Sequence, residues 1–203
     1  MIADIDGDFQ DLMNVETPLT VPILAVRNLV LFPGVLLPIM IGRDSSKILV
    51  QKAEKKHLLI GVVSQLDPET EIPMKDDLYG TGVYAKVVKL LTLPNGNVTC
   101  IAQAMGRMKM IDVISTVPYL EAVVQPQPEM EPEQRDREFR TAMDDLRSMV
   151  DEYVNLSEEI PDEASFAVHN INNNVMALNF VCSNLPFSVK EKMQLLKTLI
   201  PFR

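Results

Sequence analysis

Two histidines and two cysteines are the side chains of this sequence that most often do chemistry, and their spacing argues against a shared site. His57 and His169 have no acidic or cysteine neighbour at the spacing of metal ligands. An isolated histidine is more typical of a surface position or a helix end than of a catalytic base. Cys100 and Cys182 are far apart and lie in apolar stretches. They predict buried, reduced thiols rather than a disulfide or a metal site.

The glycines do not form a phosphate-binding loop. Backbone amides hold a nucleotide phosphate in the pattern Gly-x-x-x-x-Gly-Lys-Ser/Thr, which is absent from the sequence. The run Gly80-Thr81-Gly82 lacks the third glycine of a dinucleotide fingerprint and follows a predicted loop. The Gly-x-Ser-x-Gly elbow and the His-Glu-x-x-His helix are absent as well. The sequence therefore predicts no catalytic, cofactor-binding or metal-binding residue in this chain.

Charge narrows the choice of partners. The net charge is -9, which disfavours nucleic acid, because phosphate backbones are bound mainly through Lys and Arg. Lys52, Lys55, Lys56 and His57 are more typical of a solvated helix face than of a binding patch. Residues 1–19 contain acidic residues but no Lys or Arg, the opposite of a signal peptide. We therefore expect an acidic, flexible N-terminal tail over residues 1–19 and a cytoplasmic protein.

The predicted secondary structure begins in the apolar stretch Val21–Arg43. Three prolines interrupt this stretch, whereas a membrane-spanning helix needs about 20 unbroken apolar residues. The pattern instead predicts a strand over 20–25, an apolar loop over 29–34 and a second strand over 35–41.

A helix and a third strand are predicted next. Asp44 and Ser45 are candidate N-caps for a helix that ends near Lys56. Residues 58–63 then form a continuous apolar run typical of a buried strand. The order strand, helix, strand predicts one right-handed crossover at the edge of a sheet.

An Asn-Gly pair predicts a hairpin. Strands over 84–93 and 98–103 are joined by Pro94-Asn95-Gly96-Asn97, and Asn-Gly favours a type I′ turn with positive φ at both central residues. Two more strands are predicted over 107–114 and 119–124, the second ended by Pro126.

The composition changes at residues 126–132, where three prolines lie in a polar segment. This predicts a hinge between a β-rich subdomain (residues 20–125) and a helical subdomain (residues 133–203). The fold class predicted from the pattern is α+β.

Four helices are predicted beyond the hinge. Apolar residues recur at spacings of three and four from Phe139 to Leu156. A short helix begins at Pro161, and a third covers 172–184. Ser188 and Glu191 form a capping box for the last helix, which contains Met193, Leu196 and Leu199.

Several short blocks in fixed order resemble the opening of the N-terminal domain of the ATP-dependent protease Lon. They are Pro22-Ile23-Leu24, Arg27-Asn28, Leu31-Phe32-Pro33-Gly34, Leu37-Pro38 and Ile41-Gly42-Arg43. Further matches follow at Tyr79–Val83, Leu93–Gly96, Gly106-Arg107, Ile160-Pro161 and Leu185-Pro186. The resemblance runs from about Val21 to the C-terminus. It implies a β-rich, PUA-like pseudobarrel with one crossover helix, followed by a C-terminal helical bundle that leads into a long helix.

The resemblance also implies a function. The chain resembles the N-terminal fragment of a Lon-type serine protease, because Pro201-Phe202-Arg203 ends where the family continues. The implied role is recognition of unfolded or damaged proteins and hexamer assembly in protein quality control, without catalysis by this chain. ATP and Mg²⁺ are expected in an ATPase module, and peptide hydrolysis in a protease module, both elsewhere in the parent protein. The implied partners are unfolded or misfolded substrates and further copies of the parent, with no nucleic acid and no membrane.

The candidate substrate-contact loop consists of Leu29, Val30, Leu31, Phe32 and Pro33. Loops usually lie on the surface, whereas large apolar residues usually do not. The loop is therefore either an exposed contact or a plug in the core. The twelve methionines also suit an adaptable surface, although most lie on predicted apolar faces, where core packing is the commoner role.

Two other interpretations stay open. One is a free-standing adaptor or protein-interaction module with the same domain. The other is a PUA-like RNA-binding domain, which the acidic net charge disfavours. A phosphate-loop motif in the gene beyond Arg203 would decide for the protease.

Overall fold

The computed structural model describes residues 17–94, 96–128, 137–157 and 163–198. Most of the predicted acidic tail and of the predicted hinge lies outside these residues. Within them the strands are β1 (Thr20–Val26), β2 (Leu36–Ile41), β3 (Leu59–Ser64), β4 (Thr81–Thr92), β5 (Val98–Ser115) and β6 (Glu121–Gln127). The helices are α1 (Asp44–Lys56), α2 (Arg137–Leu156), α3 (Glu163–His169), α4 (Asn174–Asn184) and α5 (Val189–Lys197), with a 3₁₀ turn at Lys75–Asp77.

The six strands form one mixed sheet that the long strand β5 closes on itself. The strand order is β2-β5-β4-β3-β1-β6, and β6 pairs with β5 as well. Strands β1 and β3 are parallel, and the other pairs are antiparallel. The first part of β5 pairs with β2 and its second part with β6. The predicted α+β class is therefore confirmed, as a ring of five strands with β2 at one side.

The predicted crossover between the strand before α1 and the strand after it is wrong. Strand β2 pairs with β5, whereas β3 lies between β1 and β4. The parallel neighbours are β1 and β3, with Ile23 opposite Gly61. The crossover connection from β1 to β3 therefore contains both β2 and α1. Strand β2 does not lie between β1 and β3, because it pairs with β5, which is distant in sequence.

Strand β5 joins two predicted strands into one. It continues through Gly106 by way of a β-bulge, because Ala104 and Arg107 pair with β4 opposite Ala85 and Val83, which leaves two residues of β5 opposite one of β4. An added Cβ at Gly106 would meet nothing within 4 Å. Gly106 therefore marks neither a turn nor a tight approach, and only the pairing with β4 reveals that the strand continues.

Pro126 does not end the last strand as predicted, since it lies within β6 opposite Met108. The N–H of Val124, two residues earlier, points away from β5 and donates to the Leu19 carbonyl. Residue 126 points its nitrogen to the same side, beyond the start of β1. The missing proline N–H therefore costs no bond of the sheet.

The β4–β5 hairpin is confirmed, but its turn is not of type I′. The N–H of Gly96 donates to the Leu93 carbonyl at 2.9 Å and the N–H of Leu93 to the Asn97 carbonyl at 2.8 Å. Pro94 thus occupies the second position of the turn, where its ring fixes a negative φ. Positive φ falls on Gly96, at +81°, as in a three-residue hairpin loop with a glycine bulge. Asn95 lies outside the described residues.

Alternate residues of the strands feed two cores. One consists mainly of strand residues on the inner side of the ring, including Val21, Ile23, Tyr84, Met108 and Val124. The other covers the outer side and contains Leu24, Val26, Val83 and Ala85, together with Leu49 and Val50 of α1 and Met193 and Leu196 of α5. The last helix therefore packs on the β-rich part, across the predicted subdomain boundary.

The helical segments follow their sequence signals closely. Ser188 and Glu191 form the predicted capping box, with the Ser188 N–H donating to Glu191 Oε2 at 2.8 Å. Asn173 caps α4 by accepting the Met176 N–H at 3.0 Å. The N-cap of α1 is Arg43, without a side-chain cap, so the prediction of Asp44 or Ser45 is wrong. Leu199 and Pro161 lie outside the described residues.

Candidate functional site

The candidate contact loop is a plug in the core. Val30, Leu31 and Phe32 are 3%, 2% and 1% exposed, and Pro33 is buried. These side chains would have to be exposed to contact a substrate, and the structure shows that they are buried. Leu29 is half-buried, and its carbonyl accepts a hydrogen bond from Ser64 Oγ at 2.6 Å.

A tight turn and helix α4 hold this loop inward. The Val35 N–H donates to the Phe32 carbonyl at 3.2 Å, and the Gly34 N–H donates to the Ala104 carbonyl of β5 at 2.9 Å. Gly34 has φ +81°, and a Cβ there would lie 2.6 Å from Met176 Cε of α4. The segment is thus enclosed between the sheet and a helix that is far away in sequence.

A groove of about 830 Å³ lies beside Leu29 of this loop. Its walls are the end of β1, the end of β2 with the first turn of α1, and loop residues 71–74. Three lining side chains are strongly exposed, since Met40 and Ile72 are each 80% exposed and Met74 is 49% exposed. This surface is therefore an accessible apolar groove with exposed side chains on two of its walls.

Arg43 positions the wall of this groove that is formed by loop residues 66–74. Its Nε donates to the Glu71 carbonyl at 2.7 Å, and Nη2 donates to the Thr70 carbonyl at 3.2 Å and to Gln65 Oε1. Nη1 donates to the Ala25 carbonyl at 3.1 Å. Burial and the positive charge of Arg27 lower the pKa of Arg43, while Glu71 opposes that shift. Because its donors are committed to protein acceptors, Arg43 is a positioning residue.

The Thr70 carbonyl is the point where three donors converge. Besides Arg43, it accepts hydrogen bonds from Gln65 Nε2 at 2.9 Å and Arg27 Nη2 at 3.3 Å. Gln65 is only 3% exposed and also donates to the Asp67 carbonyl at 3.1 Å. The loop that carries Ile72 is therefore held by polar contacts and leaves its apolar side chain exposed.

The charged residues that line the groove balance one another. They are Arg27, Arg43, Asp44 and Glu71. The groove thus offers apolar contact without a net charge, which suits an uncharged apolar segment more than a phosphate or a carboxylate.

His169 has an acidic partner that its sequence neighbourhood does not reveal. Its Nε2 lies 3.0 and 3.1 Å from the two carboxylate oxygens of Asp151 on α2. The Ser165 hydroxyl donates to the same carboxylate. The hydrogen bonds from Ser165 and then His169 lower the pKa of Asp151. Because the serine donates to the aspartate rather than to the histidine, the three residues clasp α2 to α3 and do not form an activated nucleophile.

The remaining predicted chemistry-bearing residues are structural. Cys100 and Cys182 are free and buried as expected, and burial followed by the charge of Glu54 raises the pKa of Cys100 to about 12. His57 is exposed at the end of α1 with φ +53°. No group of three His, Cys, Asp or Glu side chains in the described ranges is arranged to hold a metal ion. None of the described helices has the length and apolarity needed to cross a membrane.

The sequence pattern did not predict Met40 and Ile72 as site residues, because each has an ordinary local sequence context. Met40 belongs to a predicted strand, and Ile72 belongs to a loop that reads as polar. The available signals were Met40 at an alternate, outward position of an edge strand and Ile72 beside Pro73. Arg43 follows β2 in the chain and bonds to the carbonyls of Thr70 and Glu71, and these contacts bring Met40 and Ile72 to one groove.

Comparison with known proteins gives one consistent family. The sequence profile of the ATP-dependent protease La (LON) substrate-binding domain matches residues 20–201. A Lon protease of Flavobacterium johnsoniae is 41% identical over 189 residues, which cover 93% of this chain and 23% of that protein. A Lon protease of Parabacteroides distasonis is 38% identical over 96% of this chain and 24% of its own length. The chain thus spans about a quarter of the length of these curated relatives.

Two solved structures share the fold. The Lon N-terminal domain protein from Xanthomonas campestris has a TM-score of 0.57 at 14% identity, covering 89% of this chain and 90% of that one. The N-terminal domain of the Mycobacterium avium complex Lon protease has a TM-score of 0.51 at 18% identity, covering 87% and 95%. At these identities the likeness concerns the fold.

Proposed function

The chain belongs to the family of substrate-binding domains of the ATP-dependent protease Lon, and we propose that it binds apolar segments of unfolded proteins in the groove between Met40 and Ile72. The observation that carries this proposal is an open apolar groove, with two side chains each 80% exposed, in a domain of this family. An unfolded chain presents apolar side chains that a native protein buries, so the groove would distinguish the two.

The groove suits weak and adaptable binding. Methionine is unbranched and polarisable, so Met40 and Met74 can repack around varied side chains. A single groove buries less than the roughly 1,200 Å² of a stable interface. Tight engagement would therefore need several domains acting together, as in a hexamer of the parent protein.

On this proposal the parent is an ATP-dependent serine protease of the cytoplasm, and the chain has no catalytic role of its own. ATP and Mg²⁺ act in an ATPase module elsewhere in the parent. In this proposal the closed sheet is a PUA-like pseudobarrel. Helices α2, α3, α4 and α5 form a helical bundle that leads into the rest of the parent protein. Nucleic acid and membranes are not among the proposed partners.

The test is binding of reduced, unfolded lactalbumin to groove variants. Met40→Asp and Ile72→Asp place a charge on exposed positions, so the melting temperature should stay close to that of the parent while affinity falls about tenfold. Leu156→Asp is the matched control, since Leu156 is 78% exposed on helix α2 and does not line the groove. Equal binding by all three variants would overturn the assignment of the groove.

A further inference from the structure

Strand β2 is an edge strand whose main chain borders the groove. Within the described residues it pairs with β5 alone, and residues 38–41 line the groove. Its sequence, Leu-Leu-Pro-Ile-Met-Ile, contains no charged residue. Edge strands usually carry charges that prevent another strand from pairing with them. The uncharged edge of β2 is therefore a place where a further strand can be added.

The register with β5 fixes which main-chain groups of β2 point to the open side. The Ala104 N–H donates to the Val35 carbonyl at 2.9 Å, so Val35 directs its carbonyl toward β5. This direction alternates along a strand. The odd-numbered residues of β2 therefore face β5, whereas the even-numbered residues Leu36, Pro38 and Met40 direct their main-chain groups to the open edge.

Pro38 agrees with this assignment, because proline has no N–H and is tolerated in a strand where that N–H would not bond within the sheet. The open edge thus offers the N–H groups of Leu36 and Met40 as donors, and the carbonyls of residues 36, 38 and 40 as acceptors. In the part of the chain that the structure describes, these groups make no hydrogen bond. They are available to a partner strand.

The facing wall of the groove, formed by the end of β1, is already engaged. The Ile23 N–H donates to the Leu120 carbonyl at 2.8 Å, and the Ala25 carbonyl accepts Arg43 Nη1 at 3.1 Å. The groove therefore meets open main-chain groups on its β2 wall, whereas these groups of β1 have partners.

The side chains beside the open edge form an apolar surface. Leu36 and Met40 are 51% and 80% exposed on one face of β2. Met40 lies opposite Thr99 of β5, which lies opposite the exposed Leu91 of β4, so these side chains share that face. An added strand would place every second side chain on this surface.

We propose that an unfolded substrate binds in the groove as an extended strand that pairs with the open edge of β2. The inference rests on the proposed function and adds the form in which the substrate is held. Main-chain hydrogen bonds do not depend on the side chains of the substrate, so one edge accepts many sequences. The occupant is an uncharged, apolar segment with unbonded N–H groups, which an unfolded chain offers and a native protein has already paired.

The first test compares Met40→Ala with Met40→Pro in titrations of the chain with reduced, unfolded lactalbumin. Both changes remove the methionine side chain, but only proline removes the outward N–H. Affinity should be about fivefold lower for Met40→Pro than for Met40→Ala, as expected for the loss of one hydrogen bond. Both variants should melt at similar temperatures, since the N–H of residue 40 does not bond to β5.

Pro38→Ala should have the opposite effect. It adds an N–H to the open edge, so the unfolded protein should bind about threefold more tightly. A purely structural role of β2 gives no reason for such a gain.

Amide hydrogen exchange provides a readout that needs no variant. At saturating lactalbumin the amides of Leu36 and Met40 should exchange about tenfold more slowly, because new hydrogen bonds protect them. The amides of Ile39 and Ile41, which already face β5, should not change.

The outcomes separate strand addition from binding in the groove. Equal affinities of Met40→Ala and Met40→Pro without slower exchange at Met40 would overturn strand addition, and a loss of affinity in Ile72→Asp would then still support the groove. Binding that neither Ile72→Asp nor Met40→Pro weakens would refute both. Slow exchange at Met40 in the chain alone that disappears on dilution would show pairing between two copies and would also overturn the proposal.

Discussion

The guanidinium of Arg43 donates to the main-chain oxygen of Ala25 at 3.1 Å and joins the start of helix α1 to the end of strand β1. The same side chain holds the carbonyls of Thr70 and Glu71. One residue thus fixes two walls of the proposed binding groove relative to each other.

Arg43→Lys should loosen that groove. A lysine cannot reproduce the fork of donors, so carbonyls at residues 25, 70 and 71 lose partners and the free energy of unfolding should fall by about 1–3 kcal/mol. Hydrogen exchange should rise at residues 66–74 and stay unchanged in β4. Unaltered stability in a urea titration would show that these bonds contribute nothing.

Arg107 should be among the costliest residues to replace. It is 5% exposed, and from β5 it donates to the Leu196 carbonyl of α5 at 3.0 Å and to Asn179 Oδ1 of α4 at 3.1 Å. Arg107→Leu would leave these buried acceptors without that donor, so we expect a loss of roughly 2–4 kcal/mol. Exposed Lys109→Leu, two residues along β5, is the control. Similar chemical denaturation midpoints for the two variants would contradict this role.

Gly96→Val should destabilise the hairpin by about 1–3 kcal/mol, since Gly96 has φ +81° and a β-branched residue is strained there. An added Cβ would meet nothing within 4 Å, so the cost is conformational rather than steric. Gly106→Val is the matched control, because Gly106 has the same open space in a strand with no positive φ. Calorimetry should show a lower melting temperature only for Gly96→Val.

The acid side of the stability profile should depend on Asp151. Hydrogen bonds from Ser165 and His169 lower its pKa in the folded state, so its contribution is present above the unfolded pKa of about 4 and is lost as the pH falls through the lower folded value. Asp151→Asn should therefore be less stable than the parent at neutral pH, with the difference shrinking below about pH 4. A difference that is constant across this range in urea titrations would contradict the clasp.

Local signals located most elements, whereas pairing and exposure depended on distant residues. The capping box of Ser188 and Glu191 spans four residues and is read directly from the sequence. The approach of His169 to Asp151 depends on how α3 folds back on α2, which neither residue's neighbours encode. Phe32 is buried in a cluster with residues that are distant in sequence, such as Ala104 and Cys182, so no pattern within the loop could separate a plug from a contact.

The groove itself illustrates the same limit. Met40 is exposed because it lies on the face of β2 opposite to the buried Ile39 and Ile41. The polar bonds that Arg43 and Gln65 make to the loop of Ile72 hold that loop with its apolar side chain exposed. Both facts require the assembled fold, which explains why the sequence pointed to the longer apolar run beside them.

Binding of unfolded protein in the groove can be observed by methionine-methyl NMR of the chain during titration with reduced, unfolded lactalbumin. The methyl signals of Met40 and Met74, which line the groove, should shift or broaden as the unfolded protein is added. Those of the buried Met108 and Met193, each 1% exposed or less, should not move. Perturbation confined to the exposed Met149 on α2, or no perturbation at Met40 and Met74 while binding is observed, would contradict the groove as the substrate-binding site.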